Sequence, residues 1–213
     1  VHLIDINGNE VSGFPINLEE NQCTQKPVYY RWQGSGYFIV PIEKGKLLQF
    51  DTKGRELALL HSKRTNFKLQ PIVWVSANKP YIGLYDGNQF EMIQLLTKKS
   101  FRTFEAKNIT HYAKLPNEVI LYGCENNTLI AINQKGGKST YETIGSGSIS
   151  SIYQQSTNPT IVVTHKNSIH LFNTNGIEWA TIQLPFNDVD EVQLHELSNG
   201  DLILSVIDAI ENN

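Results

Sequence analysis

The chain has 213 residues, of which 40% are hydrophobic and 18% charged, with 18 Lys and Arg against 21 Asp and Glu. A net charge of -3 argues against the concentrated basic surface that nucleic-acid binding requires. No apolar run approaches the roughly 20 residues that span a bilayer as a helix, and the composition is that of a folded chain with a sizeable core.

In chain order, the opening "VHLIDINGNE" (1–10) reads as a strand closed by a turn at Gly8, and residues 1–18 together supply two strands. "VSGFPINL" follows. Residues 27–64 hold four short apolar runs, with "EKG" (43–45) as a hairpin and "LQFDTKG" as a third strand closed by Gly54. "HSKRTNFK" (61–68), the densest basic stretch, reads as a solvated outer edge rather than a phosphate contact. Residues 70–107 repeat the pattern with a "DG" hairpin (86–87) and a degenerate third strand, "MIQLLTKK" (92–99). Residues 109–144 carry "NN" (126–127) and then "IAINQKG", closed by Gly136.

The unit 149–185 is the plainest. "ISSIYQQ", "TIVVTH", "SIHLFN" and "IEWATIQLP" are its four strands, joined by "STNP", "KN" and "TNG". Residues 190–208 add two more, "EVQLHEL" and "DLILSVI". The runs are short, β-branched or aromatic, and bounded by Gly, Asn and Asp, which is the pattern of strands and tight turns. No segment has the i, i+3, i+4, i+7 spacing of a helix.

The turn anchors at 8, 54, 99, 136 and 176 lie 46, 45, 37 and 40 residues apart. A period of about 40 built from strands predicts a β-propeller of four-stranded antiparallel blades. The expected layout is one propeller domain or propeller fragment over 1–213. Its parts are a half-blade at 1–18, blades at about 27–64, 70–107, 109–144 and 149–185, and a half-blade at 190–208. The halves sum to a fifth blade. Two arrangements fit: a five-bladed ring closed through that shared blade, or an arc of a larger propeller, with Val1 beginning mid-blade.

Third strands such as "LLQFDTKGRE" and "VHLIDINGNE" resemble the repeats of quinoprotein-like and YVTN/WD-like bacterial β-propellers. "GFP" in "NEVSGFPINL" is similar to repeats of secreted bacterial propeller proteins, which implies a periplasmic or cell-surface location. The resemblance to quinoproteins implies pyrroloquinoline quinone as the cofactor to look for. The Trp-Gly docking motif of those enzymes is missing, since none of Trp32, Trp74 and Trp179 precedes a glycine. The expectation is therefore no cofactor and no catalysis. "WD" and "GH" are also missing where WD-repeat blades would carry them.

Counting seven residues back from the start of each second strand reaches Tyr30, Trp74, Tyr112, Tyr153 and His195. Four aromatics and a histidine in one first-strand slot predict either packing between blades or a binding column suited to sugar rings or a peptide. "DINGNE" and "NTNG" have too few carboxylates for calcium, and "NDVDE" (187–191) reads as a solvated loop. His2 and His170 occupy equivalent slots, while His165 faces His170 across a hairpin; all three read as strand residues rather than metal ligands. "TIGSGSISS" (143–151) lacks the strand-turn-helix context of a nucleophile elbow. "NIT" (108–110) and "NNT" (126–128) are formal glycosylation sequons. Cys23 and Cys124 have no metal spacing, and their pairing is undetermined.

The functional expectation is a non-catalytic scaffold binding a protein or glycan, as a module of a larger protein whose other blades are potential partners. A fragment of a cofactor-dependent enzyme, completed by missing blades, is the alternative.

Overall fold

In the computed structural model, residues 1–18, 21–115, 118–125, 128–143, 148–153, 160–165, 167–185, 189–196 and 202–208 are described. The chain divides into two units, Val1–Lys107 and Asn108–Asn213. Among the described residues, the strands form four antiparallel sheets of four and one pair.

The first unit holds two sheets. One is β1 (Val28–Trp32), β2 (Ser35–Ile42), β3 (Lys46–Asp51) and β4 (Glu56–His61); the other is β5 (Ile72–Ser76), β6 (Lys79–Tyr85), β7 (Gln89–Gln94) and β8 (Lys99–Glu105). Each sheet is an up-and-down meander in sequence order. The first strands, β1 and β5, are neighbours. Ile39, Leu47 and Leu60 of one sheet pack with Val73, Ile82, Leu84 and Ile93 of the other. Burying one such side chain contributes about 1.5–3 kcal/mol, so the two-sheet sandwich is the main source of this unit's stability.

The second unit repeats the plan. Its sheets are β9 (Ile109–Lys114), β10 (Val119–Glu125), β11 (Thr128–Asn133) and β12 (Lys138–Thr143), then β13 (Ser148–Tyr153), β14 (Thr160–His165), β15 (Ser168–Phe172) and β16 (Glu178–Gln183). A final pair is β17 (Val189–Glu196) and β18 (Leu202–Asp208). The first strand β13 contacts both β9 and β17. Tyr122 and Leu129 pack on Ile161, Val163 and Phe172, and Val162, Ile169 and Leu171 pack on Val192. "NDVDE" falls partly, and the "GSG" of 145–147 and "NN" of 126–127 wholly, outside the described residues.

The turn that follows a third strand has one chemistry in four copies. The side chains of Asp5, Asp51, Asn133 and Asn173 each accept from the backbone N–H groups two and four residues on. The glycine three residues on, at 8, 54, 136 and 176, has a positive φ between 73° and 85°. An acceptor at the first position and a glycine at the fourth are all that this turn requires. In the degenerate copy, Lys98 takes the left-handed position with φ 56°. Lys98→Gly is expected to stabilise the chain by about 1 kcal/mol, raising the calorimetric Tm by roughly 2–4 °C.

Residues 1–18 dock on the first sheet. Ile4 bridges Glu10 in antiparallel fashion, and Val1, Ile16 and Leu18 pack against Val40, Ile42 and Phe50. The "GFP" segment has a local reason here. A β-carbon on Gly13, whose φ is 96°, would overlap the backbone of Lys53. Phe14 meets Phe38 edge-on at 5.9 Å.

Outer strands of three sheets share an irregularity. The pairings Gln49↔Ala58 then Phe50↔Glu56, Met92↔Arg102 then Ile93↔Ser100, and Leu171↔Ala180 then Phe172↔Glu178 each skip one residue. The extra residue is Leu57, Phe101 or Trp179, exposed by 44%, 57% and 50%. A bulge re-aims the side chain it carries, so large, half-exposed apolar groups stand at equivalent places on β4, β8 and β16, the Phe101 ring lying 5.5 Å from that of Tyr81.

Candidate binding surface

The five first-strand positions do not share one geometry. Tyr30 opposes Tyr37, Trp74 opposes Tyr81 and Tyr153 opposes Thr160. Tyr112 opposes Leu121 instead of Val119, and His195 opposes Ile203 instead of Leu202. In the third sheet, Ile120 pairs with Asn133 of the turn, as Tyr37 pairs with Asp51 in the first. The true equivalent of Tyr30 is therefore Ala113, the partner of Ile120. Successive residues point to opposite faces, so Tyr112 projects from the other side of its sheet.

Tyr30 is buried and stacks on Tyr37 at 5.1 Å, its hydroxyl accepting from Gln49 Nε2 at 2.8 Å. Trp74 is also buried, stacked on Tyr81 at 5.7 Å. Tyr112 is half-buried and His195 exposed, with His195 Nε2 and Ser205 Oγ 3.1 Å apart. Burial pushes the Tyr30 and Tyr112 hydroxyls well above the usual phenol range, with Tyr37 adding to the effect at Tyr30. Both remain protonated donors at neutral pH.

The opening decapeptide and its copy encode a cross-strand pair. His2 Nδ1 lies 2.7 Å from Glu10 Oε1, and His170 Nδ1 lies 2.9 Å from Glu178 Oε1. His170 Nε2 also meets Ser168 Oγ at 3.0 Å. The histidines are thus held by one carboxylate each. Among the described residues, no three His, Cys, Asp or Glu side chains converge as a metal set would. Neither Cys23 nor Cys124 forms a disulfide.

The basic stretch 61–68 is only in part a solvated edge. Lys63 and Lys68 are exposed, but Ser62 and Arg64 turn inward. Fully buried Glu91 of β7 accepts from Ser62 Oγ at 2.6 Å and from the Lys63 N–H at 3.1 Å. Arg64 Nη1 meets Asp86 Oδ2 at 3.2 Å. A β-carbon on Gly45 would overlap the Arg64 carbonyl, so glycine is needed where this loop crosses the β2–β3 turn. The sequence offered no local signal for Glu91, whose partners lie 28 and 29 residues away.

Burial alone would raise the Asp86 carboxyl, but the N–H groups of Asn88 and Gln89 and the Arg64 guanidinium together hold it below the usual carboxylate range. A group depressed in the folded state stabilises above its unfolded value, and that contribution is lost as pH falls through the folded one. The urea midpoint is expected to drop on acidification below about pH 4. Asp86→Asn removes this part of the acid dependence and lowers neutral-pH stability by about 1 kcal/mol.

No protein-family model and no curated protein matches the chain. Solved structures do. BBS1N crystallised with ARL6DN is 15% identical, with a TM-score of 0.65 over 95% of this chain and 67% of that one. The Cps50 (Swd1) β-propeller domain of Myceliophteria thermophila is 9% identical, with a TM-score of 0.59 over 90% of this chain and 65% of that one. Virginiamycin B lyase from Staphylococcus aureus is 13% identical, with a TM-score of 0.61 over 96% of this chain and 76% of that one. These likenesses, with the four-stranded meanders, establish a β-propeller fold. The chain spans about two thirds of the length of the first two.

Proposed function

We propose that this propeller domain is a non-catalytic scaffold that binds a protein partner, as a module of a larger protein. The observation that carries the reading is the repeated bulge, which turns Leu57, Phe101 and Trp179 outward from the fourth strands. Exposed aromatic and large apolar side chains are the usual anchors of protein interfaces. BBS1N, a propeller of similar fold, was crystallised with ARL6DN, which supports the reading by analogy of fold alone.

The finer kinship with quinoprotein-like and YVTN/WD-like repeats belongs to the same proposal, supported by the Asx–Gly turns. So does a recognition role for Tyr30, Trp74, Tyr112, Tyr153 and His195, with a glycan as the other ligand class for those rings. Tyr30 and Trp74 would serve by supporting their neighbours, and Tyr112 and His195 by contact.

The test is affinity capture followed by binding measurements with the purified partner. Phe101→Ser with Trp179→Ser is expected to weaken that complex at least tenfold while the chain stays folded by circular dichroism, with a Tm only a few degrees lower from loss of the Phe101–Tyr81 ring contact. Unaltered affinity in this variant overturns the reading. Retention of every interaction by Tyr112→Phe with Tyr153→Phe removes those two hydroxyls from it.

A further inference from the structure

Between the β1–β2 and β3–β4 turns of the first sheet lies a groove of about 510 Å³, lined by Tyr29, Arg31, Tyr37, Asp51, Lys53 and Arg55 among others. We propose that this groove binds an acidic peptide segment through Arg31, Lys53 and Arg55, with the Tyr29 ring as its apolar wall. The inference rests on the protein-binding reading and names the chemistry of one contact.

Charge is the first argument. Asp51 is the one acid among the groove's lining residues, and it is already engaged. Its Oδ1 accepts from the Lys53 and Arg55 N–H groups, each at 2.9 Å, and its Oδ2 from Arg55 Nε at 2.7 Å. Asp51 offsets the charge of Arg55, which leaves Arg31 and Lys53 as two uncompensated cations in the groove. The anchoring through Nε fixes the Arg55 guanidinium, and its Nη edge is left for a ligand. Planar guanidinium forks match carboxylates in bidentate fashion.

The second argument compares copies of the turn. At the place of Arg55 the other turns have Asn9, Gly137 and Ile177. The turn closes equally well with each, because it needs only its first and fourth residues. Asn9 reaches Asp5 Oδ2 much as Arg55 reaches Asp51, but Gly137 and Ile177 can make no such contact, so the turn does not require the Arg55 side chain. Arg31 is exposed on β1, one residue beyond Tyr30, where β5 has Val75 beyond Trp74.

Shape is the third. A β-carbon on Gly36 would come within 2.7 Å of Tyr29 Oη and 2.8 Å of Thr52 Cγ2. Glycine lets the half-exposed Tyr29 lie across β2 and keeps the groove open. Phosphate is disfavoured, because the turn N–H groups of Lys53 and Arg55, which would cradle it, are spent on Asp51.

The experiment is fluorescence anisotropy with labelled hexaglutamate, run on the full chain and its variants. Binding is expected to fall at least tenfold in Arg31→Glu and in Lys53→Glu, and to weaken steeply as salt rises. Circular dichroism and Tm confirm that both variants fold, since neither side chain is packed. Labelled hexalysine should not bind.

No binding of hexaglutamate at about 1 mM, where even a free energy near 4 kcal/mol would register, overturns the proposal, as does binding indifferent to both variants. A sulfated oligosaccharide or inorganic phosphate that binds more tightly and is lost in the same variants replaces the peptide as ligand and also overturns it. If the captured partner still depends on Phe101 and Trp179 while hexaglutamate fails, the groove inference falls and the scaffold reading stands.

Discussion

Glu91→Ala is expected to lower the unfolding free energy by about 3 kcal/mol. Its carboxylate is fully buried, and one oxygen, Oε2, receives both Ser62 Oγ and the Lys63 N–H. Alanine removes that acceptor from the half-buried Ser62 hydroxyl and from the Lys63 N–H. Each buried unsatisfied group costs about 1–3 kcal/mol, and the vacated volume adds to this. Glu91→Gln separates the acceptor from the charge. Its amide oxygen can take both bonds, and its NH₂ replaces Oε1, which has no partner among the described residues. Gln is therefore expected within about 1 kcal/mol of the parent. Urea unfolding followed by the fluorescence of Trp32 and Trp74, both in the first unit, measures the pair. A loss below about 1 kcal/mol for the alanine variant would show that the Ser62 N–H bond to the Gly45 carbonyl and the Arg64–Asp86 pair hold the loop without Glu91.

The second large effect is at Trp74. It is 1% exposed and stacked on Tyr81. Trp74→Ala deletes the largest buried ring of the first unit and is expected to cost about 3–5 kcal/mol. Trp74→Phe keeps the stack and removes an indole N–H that has no hydrogen-bond partner among the described residues. It should cost less than about 1.5 kcal/mol. The pair also decides what this position is for. A phenylalanine variant that keeps both its Tm and its partner affinity marks Trp74 as core. One that keeps its Tm and loses affinity at least tenfold gives the indole a role in recognition.

Strand grammar was highly legible. "TIVVTH" is β14, residue for residue, and the turn glycines lie where the apolar runs end. The reason is local: strands and Asx–Gly turns are decided by residues at most four positions apart. Register was less legible. Val119 is the first residue of β10, but the residue paired with the turn is Ile120, and one step of error moves a side chain to the opposite face. Strand starts differ by a residue between copies, so counting from them placed Tyr112 where Ala113 belongs.

Long-range polar contacts were not legible. "HSKRTNFK" looks like an outer edge by charge, and "QFEMIQ" hides Glu91 inside a run buried on both faces. Nothing within either stretch records that one caps the other. The groove on the first sheet escapes a local reading for the same reason, since β1 and the β3–β4 turn bring Arg31 and Arg55 to one groove from positions 24 apart in sequence. A comparison of the repeats for what one copy has in excess would have singled out Arg55.

The bulges on β4, β8 and β16 have a consequence beyond the side chains they expose. An outermost strand with Leu, Phe or Trp upon it is the ordinary seed of fibrous self-association. Growth of that kind requires an incoming strand to run in phase with a straight, regular ladder of N–H and C=O groups. One extra residue puts the ladder out of step and bends it at the very place where the apolar group stands. A bulged strand can therefore carry an exposed apolar group without pairing with a copy of itself, and straightening β8 by deleting Phe101 is expected to cause aggregation, read by light scattering.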